Sequence, residues 1–581
     1  MNVALSQKTG DTTHVTHTDV RPALTRLALF ACGIEVCCLL IVALSPLPSL
    51  RLNDTPLTAW TWLLTPAHWL SDQVRASELW LAPSLLALVF TGLLAFYGIA
   101  IRVLLRSLRD EQQRTSQVLL LLLGSTFLFG VTLLFQPRLF SDDVFTYIIS
   151  GRILTIYHAN PLNTAPIHFA HDPYLRWVIA GRYAPNIYGP LWYCVCWFLS
   201  SLNAGPVGTL LLFKSLGLCA HLLNGLLVWY VLRTVAPTRR MLGTLLYLWN
   251  PLILLELAGG GHNEGLLLTL LLAATLLYTW RPASALQGTH AAHYRGQQWM
   301  RLGAMLLFGV AVGMNLIVLL IVPLLAWFDV RGTRWLTPAF VGALWRVLVM
   351  LLPALALWLP FWRGASSFFA LTSAVDMEHF VHAPLGLLVG PNRLFFRALT
   401  YTLHFPWDPL PAADVTLRGS ATFVFALLYS NLFGRLRHAP TTIAGMRYSE
   451  TADQTVELPG VDTLFRTWGI ALFAYFALVT GWFWPWYLLW LLWVVMLQHF
   501  DLLTSTMLVL SGTALFFYVF AASVFQTIVI TRYEPAIIFG LPLVYLLVMS
   551  YRARRRRIRT TGDEVREYEE ENKHKKSIQK G

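Results

Sequence analysis

The chain has 581 residues, of which 56% are hydrophobic and 13% are charged, and its formal net charge is +13. Soluble proteins carry about 25% charged residues, so this composition excludes an ordinary soluble enzyme. The apolar residues also form long blocks that are apolar nearly all round, for example residues 118–135, 336–359 and 502–525. Because about 20 apolar residues can cross a bilayer, the sequence predicts an all-α, polytopic membrane protein with about 12 to 14 transmembrane helices.

Arginine residues mark one side of this membrane domain. They recur in the short segments 106–114, 233–240, 281–301, 331–334 and 435–437, and in the tail from residue 552. Because short loops rich in Lys and Arg stay in the cytoplasm, we predict that these segments and the C-terminus are cytoplasmic. The outward-facing segments are then 136–206, 259–264, 360–416, 482–487 and 531–535.

Two apolar runs do not fit this pattern as simple spans. A span at residues 188–202 would place Arg233 outside, so we expect an aromatic-rich interfacial helix there. Residues 301–327 fit best as two short helices that meet near Asn315 in a broken hairpin. The predicted segments are a cytoplasmic tail (1–22), transmembrane helices (23–137), an outer loop with interfacial helices (138–206), transmembrane helices with the broken hairpin (207–360), an outer loop (361–416), transmembrane helices (417–550) and a charged cytoplasmic tail (551–581).

The first outer loop begins with two adjacent carboxylates, Asp142 and Asp143, directly after a transmembrane helix. A carboxylate that is partly desolvated beside another negative charge has a raised pKa and can act as a general base. The Ser-Asp-Asp pattern before an apolar run is also typical of a helix N-cap. The sequence leaves both interpretations open, and they do not exclude each other.

A second polar cluster, residues 259–264, reads Gly-Gly-Gly-His-Asn-Glu and also faces outward. Its glycines let the backbone approach a ligand closely, and its three polar side chains can donate and accept hydrogen bonds or bind a metal. A simple turn between helices fits equally well. Within the apolar segment before it stands Lys214, and an intramembrane cation indicates either a phosphate partner or a side chain that reaches to the interface.

These motifs together resemble the GT-C glycosyltransferases, and they are most similar to the bacterial polyprenyl-phosphate-mannose-dependent alpha-mannosyltransferases. The residues that carry the resemblance are Asp142-Asp143, Tyr147, Gly151-Arg152, Asn160-Pro161 and Tyr188-Gly189-Pro190 in the first outer loop, then Asn250-Pro251 and Gly261-His262-Asn263-Glu264, and finally Pro485-Trp486-Tyr487. Relatives often carry Lys where this chain has Asn315 and His where it has Trp484. These departures affect the expected phosphate-binding residues.

The resemblance implies transfer of a hexose, expected to be mannose, from a polyprenyl phosphate to an acceptor hydroxyl by a single inverting displacement. It implies an active site on the outer face of the plasma membrane and an acidic base that maps onto Asp142 or Asp143. For binding the donor phosphate or substrate, our candidates are Arg152, Lys214, His262, Asn263, Glu264 and Arg532. For lining the acceptor or lipid, they are Tyr147, Tyr188, Trp484, Trp486 and Tyr487.

The expected partners are a polyprenyl-phosphate-linked sugar donor, a glycan or glycolipid acceptor and membrane lipid, with no nucleic acid. The sequence assigns no cofactor and leaves a divalent cation open. The competing hypothesis is a transporter or flippase of lipid-linked sugars. Such a protein needs polar residues near the bilayer midplane and repeated halves, whereas this sequence has few midplane charges and no repeat between its halves.

Overall fold

The protein is described from a computed structural model that covers residues 21–74, 78–107, 115–179, 181–185, 188–280, 290–367, 382–404, 407–440, 460–521, 535–553 and 555. These residues are almost entirely helical, with a single two-stranded antiparallel ribbon. In chain order the first elements are α1 (Arg21–Leu44), β1 (Asn53–Asp54), α2 (Thr61–Val74), α3 (Glu78–Ser107), α4 (Thr115–Leu134), β2 (Arg138–Leu139), α5 (Asp143–Thr155) and α6 (Pro190–Ser201).

The remaining helices complete the membrane domain. They are α7 (Gly205–Val235), α8 (Arg240–Leu248), α9 (Pro251–Leu254), α10 (Glu264–Thr279), α11 (His290–Val312), α12 (Val322–Asp329), α13 (Leu336–Trp358), α14 (Gly386–Leu403), α15 (Pro409–Arg437), α16 (Val461–Leu478), α17 (Leu489–Val495), α18 (Leu502–Ala521) and α19 (Pro535–Ala553). A π-helix (Leu255–Gly259) follows α9, and short 3-10 helices include Leu316–Leu320 and Pro485–Leu488.

Eight helices in the described part of the chain are long and apolar enough to cross a membrane, namely α1, α3, α4, α7, α13, α16, α18 and α19. A ninth candidate is the pair Pro237–Leu248 and Pro251–Gly259, which is bent by 51°. Three further apolar helices are shorter, so the full count of 12 to 14 spans stays a prediction. The predicted all-α, multi-pass class is confirmed.

The surface of the long helices is apolar, as a lipid-facing surface must be. Along α13, Leu344, Leu348, Leu352 and Leu355 are all exposed. These leucines repeat at helical spacing, so they form a continuous apolar stripe. A stripe of this kind on a water-soluble protein would be an aggregation site, whereas in a bilayer it contacts acyl chains.

Helix α6 occupies the run expected to lie along the interface. Its aromatic residues are not all at the surface, because Trp192 and Tyr193 are buried and Trp197 is half-exposed. The start of α6 is joined to the end of α11: Gly189 N–H donates to the Met314 carbonyl at 3.2 Å. Trp192 and Tyr193 therefore pack in the protein core, and the interfacial placement of α6 stays a prediction.

Two helix breaks shape the face that carries the polar clusters. At the first, Asn250 Oδ1 accepts hydrogen bonds from the N–H groups of Leu252 and Ile253, so its side chain caps α9. At the second, α11 ends at Val312 and Asn315 Oδ1 accepts from Ile317 N–H at 3.0 Å. Asparagine suits such positions because its short amide satisfies N–H groups that a helix start leaves unpaired.

Candidate active site

A cluster of ionisable side chains forms where the start of α5 meets the Gly-rich turn before α10. It contains Asp143, Glu256, His262 and Glu264. Asp143 is the first residue of α5, Glu256 lies in the π-helix, and Glu264 begins α10. The N-terminus of a helix favours nearby negative charge, so the first residues of α5 and α10 are suitable positions for the carboxylates of Asp143 and Glu264.

His262 is fully buried at the centre of this cluster. Its Nε2 lies 3.2 Å from Glu256 Oε2, and its Nδ1 lies 3.6 Å from Asp143 Oδ2 and 3.8 Å from Glu264 Oε2. Burial lowers the pKa of His262, but the hydrogen bond and charge of Glu256, with the charges of Asp143 and Glu264, outweigh it and raise the pKa to about 9. The imidazole is therefore protonated at neutral pH and neutralises one of three carboxylates.

The turn that holds His262 depends on glycine at one position. Gly261 has a φ of +70°, a left-handed conformation that residues with a side chain rarely adopt. A Cβ at Gly261 would also lie 3.4 Å from Lys214 Cα. The Gly-rich turn is thus closely packed, and it changes the direction of the chain between Glu256 and Glu264.

The structure separates the two adjacent aspartates. Asp142 is buried, and its Oδ2 accepts a hydrogen bond from the Ile179 N–H at 2.6 Å. Asp143 has a side chain that is 22% exposed, against 3% for Glu256 and 4% for Glu264. Among the clustered carboxylates, Asp143 is therefore the one that a ligand can reach.

The charge state of Asp143 follows from its neighbours. Desolvation raises its pKa, the charge of His262 lowers it, and the charges of Asp142 and Glu256 raise it, so that the pKa reaches about 6. At neutral pH most of the carboxyl is ionised, yet it is more basic than an ordinary aspartate. A group of this kind can accept a proton from a bound hydroxyl.

Glu256 was missed by the sequence reasoning. It accepts a hydrogen bond from the Tyr518 hydroxyl at 2.5 Å, so it joins α18 to the His262 turn. One signal could have found it: Glu256 is a lone carboxylate inside the otherwise apolar run 251–258. A buried carboxylate in an apolar segment is costly and by default indicates a functional site. Tyr518, by contrast, carries no such signal in the sequence.

Aromatic side chains wall the cluster on one side. Trp486 stacks on the His262 ring, with ring centres 4.6 Å apart, and Trp484 stacks on Trp486 at 5.1 Å. Tyr487 stacks instead on Trp490 at 4.4 Å. The aromatic turn, residues 482–487, is therefore part of the same site as the Gly-rich turn, although more than 200 residues separate them in the chain.

A second group of aromatic side chains packs against α5. Tyr147 is buried, meets the rings of Tyr188 and Trp192 edge-to-face at 5.0 Å each, and donates to Asn263 Oδ1 at 3.5 Å. Tyr188 is the more accessible of the two tyrosines. Asn263 is also buried, so Tyr147 and Asn263 fix the position of α5 against the Gly-rich turn.

Two predicted phosphate ligands are engaged elsewhere. Arg152 donates through Nε to both carboxylate oxygens of Asp172, at 2.8 and 3.1 Å, and its guanidinium lies 4.4 Å from the Tyr174 ring centre. It lies nine residues beyond Asp143 on α5, or about 13 Å along the axis. Arg152 therefore holds the outer loop together in this structure, and its contact with the donor phosphate stays a prediction.

Lys214 is buried and donates through Nζ to the carbonyls of Leu133 and Leu134, at 2.8 and 2.6 Å. These carbonyls are at the C-terminal end of α4, where the helix leaves acceptors unpaired. A cation there also interacts favourably with the helix dipole. Lys214 thus caps α4 behind Gly261, and its assignment to the donor phosphate stays a prediction.

The remaining cation candidate, Arg532, lies outside the described residues. Within the described part of the chain, the cluster holds three carboxylates and one imidazole, and no arginine or lysine is paired with them. No group of three or more His, Cys, Asp or Glu residues among the described ones has an arrangement that could hold a metal ion.

A comparison with protein families supports the class of the protein. Residues 59–331, just under half of the chain, match the family model described as alpha-(1->6)-mannopyranosyltransferase, N-terminal domain (MptA_B family). This segment matches that mannosyltransferase family, so the resemblance to alpha-mannosyltransferases is confirmed over residues 59–331. Together with the membrane-spanning helices, the match supports a membrane glycosyltransferase.

The matched mannosyltransferase segment contains the whole ionisable cluster, from Asp143 to Glu264. The aromatic turn and Tyr518 come from the part of the chain beyond the match, so the site is completed by both halves. Comparisons with curated proteins and with solved structures found no match.

Proposed function

We propose that this mannosyltransferase moves a mannosyl group from a polyprenyl phosphate to an acceptor hydroxyl, with Asp143 as the general base. The observation that carries the proposal is the accessibility of Asp143. It is the most exposed carboxylate of the cluster, and His262 lies 3.6 Å away to hold it in its ionised form. Glu256 and Glu264 are almost completely buried and support it indirectly.

In the proposed step the acceptor oxygen attacks the anomeric carbon while Asp143 takes the hydroxyl proton. The new carbon–oxygen bond forms on one face, and the bond to the phosphate oxygen breaks on the other, so the anomeric centre is inverted. The leaving polyprenyl phosphate keeps the electron pair of the broken bond. General base assistance of this kind contributes about 10²–10⁴-fold to the rate.

The aromatic wall supports binding of a sugar beside Asp143. Trp484 is partly exposed and is fixed by stacking on Trp486 and by edge contacts with Phe517 and His382. Rigid aromatic faces suit the apolar face of a sugar ring and cost little conformational entropy. We assign Trp484 and Tyr188 to the substrate-facing surface, and Tyr147, Trp486 and Tyr487 to its support.

The leaving phosphate needs positive charge that the described cluster does not supply in excess. His262 is already surrounded by three carboxylates. We therefore keep Arg532 as the proposed phosphate ligand, since its sequence position between α18 and α19 falls in a segment that the arginine pattern predicts to face outward. The positive-inside pattern supports an active site on the outer face of the plasma membrane.

The proposal is tested with purified protein in liposomes that contain polyprenyl-phosphate mannose and an acceptor glycan. Asp143→Asn should lower kcat by about 10²-fold or more, because its amide cannot take the proton. Asp142→Asn should retain most activity, because its side-chain oxygen can still accept from the Ile179 N–H. Asp54→Asn, which changes a surface carboxylate paired with Arg138, is the matched control.

The outcomes separate the parts of the proposal. Full activity in Asp143→Asn, or a larger loss in Asp142→Asn, contradicts Asp143 as the base. Absence of transfer by the unmodified protein with this donor, while it transfers from another activated mannose, contradicts the polyprenyl phosphate. Movement of the lipid-linked sugar across the bilayer with no transfer would favour the flippase.

A further inference from the structure

A polar cavity lies far from the ionisable cluster, between α11, the end of α12 and α13. Its volume is about 300 Å³, which is at the lower end of the range for ligand-binding pockets. It is lined by Gln297, Gln298, Arg301, Asp329, Trp345 and Arg346, with three apolar side chains. Two arginines and two glutamines in one cavity make a surface rich in hydrogen-bond donors.

The carboxylate of this cavity is already fully engaged. Asp329 is almost completely buried, and it accepts a hydrogen bond from Arg346 Nε and one from the Tyr278 hydroxyl at 3.1 Å. Arg301 Nη1 lies a further 3.4 Å from its Oδ1. The Asp329 carboxylate can therefore accept few further hydrogen bonds. The groups that the cavity offers to a ligand are hydrogen-bond donors.

The two arginines keep donors that no described residue uses. Arg346 directs one other nitrogen to the Gly342 carbonyl at 3.0 Å, and Arg301 Nε is buried with no hydrogen-bond partner among the described residues. Two guanidinium groups against one carboxylate leave a formal charge of +1. A single arginine would be enough to neutralise Asp329, so ion pairing inside the protein does not account for the second one.

Exposed tryptophans place the cavity at the edge of the bilayer. Trp299, Trp335 and Trp345 come from α11, the turn before α13 and α13 itself, and each is 66–70% exposed. Tryptophan concentrates at the membrane–water interface, where its ring lies among lipid headgroups. The cavity is therefore positioned at headgroup depth, with Trp345 as part of its wall.

Helix α10 separates this cavity from the ionisable cluster. Glu264, at one end of α10, belongs to the cluster, and Tyr278, near the other end, bonds to Asp329. Tyr278 lies fourteen positions after Glu264, or about 21 Å along the helix axis, so the two sites lie toward opposite faces of the membrane domain. The cavity is beside the basic segment 331–334, which the sequence places on the cytoplasmic side.

We propose that this cavity binds the phosphate group of an anionic phospholipid headgroup, with Arg301 and Arg346 as its ligands. Guanidinium groups pair with phosphate through two parallel hydrogen bonds, which gives them both strength and geometric selectivity. The lipid's glycerol and acyl chains would continue along the exposed apolar stripe of α13. The headgroup would join α11 to α13 at the face opposite the site.

The experiment measures binding of phosphatidylglycerol to the purified full-length protein by native mass spectrometry, with phosphatidylcholine as the neutral probe. The unmodified protein should prefer phosphatidylglycerol. Arg301→Gln should lower phosphatidylglycerol affinity about tenfold, the effect of losing one charge-assisted hydrogen bond. Gln297→Glu, one helical turn before Arg301, should lower it similarly while leaving the Asp329 pairs intact.

Arg393→Gln is the matched control, since Arg393 forms a comparable ion pair with Asp414 between α14 and α15. It should bind phosphatidylglycerol as the unmodified protein does. Equal binding by all variants, or equal loss in Arg393→Gln, overturns the proposal. Competition by millimolar inorganic phosphate that removes the phosphatidylglycerol preference supports the phosphate as the recognised group. Binding of inorganic phosphate with no phosphatidylglycerol preference overturns the assignment to a lipid.

Discussion

At the scale of single residues, neighbours decide what two identical side chains do. Asp142 and Asp143 are adjacent, but Asp142 turns toward the Ile179 N–H and Asp143 toward His262. The predicted capping hydrogen bond comes from Ser141 and not from Asp142. Ser141 Oγ accepts from the Asp143 N–H at 3.2 Å, while the Asp142 side chain makes no capping bond. The sequence could locate this pair, but only the packing of the loop separates its members.

The charge of His262 should set the pH dependence of transfer. In the unmodified protein, transfer should fall as pH drops through about 6, because protonated Asp143 cannot act as a base. The imidazolium of His262 lowers that pKa. Its removal in His262→Gln should therefore raise the pKa and move the acid limb of kcat/KM to higher pH. His171→Gln, which changes an exposed histidine of the same loop, should leave the limb in place.

The pH profile distinguishes electrostatic support from a structural role. A misfolded site would lower activity at every pH and leave the midpoint unchanged. An acid limb at the same pH in His262→Gln, with lower activity throughout, would contradict the electrostatic account. The comparison requires that both variants show the thermal unfolding temperature of the unmodified protein.

At the scale of elements, the site is built from helix breaks. The Asn250 cap, the π-helix and the left-handed Gly261 interrupt what would be one long apolar segment. π-Helices occur frequently at functional sites. Here the π-helix carries Glu256. Interrupted helices at membrane depth are tolerated only where the freed backbone is buried in protein or lines a cavity.

Gly217 tests how closely α7 packs on this interrupted segment. A Cβ at Gly217 would lie 2.1 Å from the Leu257 carbonyl oxygen, so Gly217→Ala must displace the π-helix that carries Glu256. We expect a destabilisation of about 1–3 kcal/mol, read as a lower unfolding temperature by intrinsic tryptophan fluorescence, and a loss of transfer activity. Gly98→Ala on α3 is the control, because no atom lies within 4 Å of its Cβ.

The control should differ in sign as well as size. Alanine is favoured over glycine inside a helix by about 0.5–1 kcal/mol where nothing obstructs it, so Gly98→Ala should be neutral or slightly stabilising. If Gly217→Ala unfolds at the same temperature as Gly98→Ala, the close contact between α7 and the π-helix is absent in solution.

At the scale of the whole molecule, the sequence predicts that the fold lies in a membrane better than it predicts which side chains contact each other. Apolar blocks and helix breaks are local properties, so the all-α membrane class follows from composition and spacing. Pairings across the chain do not: Arg152 meets Asp172, Lys214 meets the end of α4, and Glu256 meets Tyr518. Each of these contacts depends on how separate segments pack against one another, which no local pattern encodes.

The arginines also predict the orientation of the protein in the membrane. With the six native cysteines replaced by alanine, a single cysteine is placed at exposed His171 in the first outer loop or at exposed Thr238 beside Arg239. Because positive loops remain in the cytoplasm, a membrane-impermeant maleimide should label His171→Cys in intact cells and Thr238→Cys only after permeabilisation. The cysteine-free parent corrects for background, and its transfer activity shows that the fold survives. The reverse labelling pattern would place Asp143 and the aromatic wall on the cytoplasmic side and would contradict an outward-facing donor site.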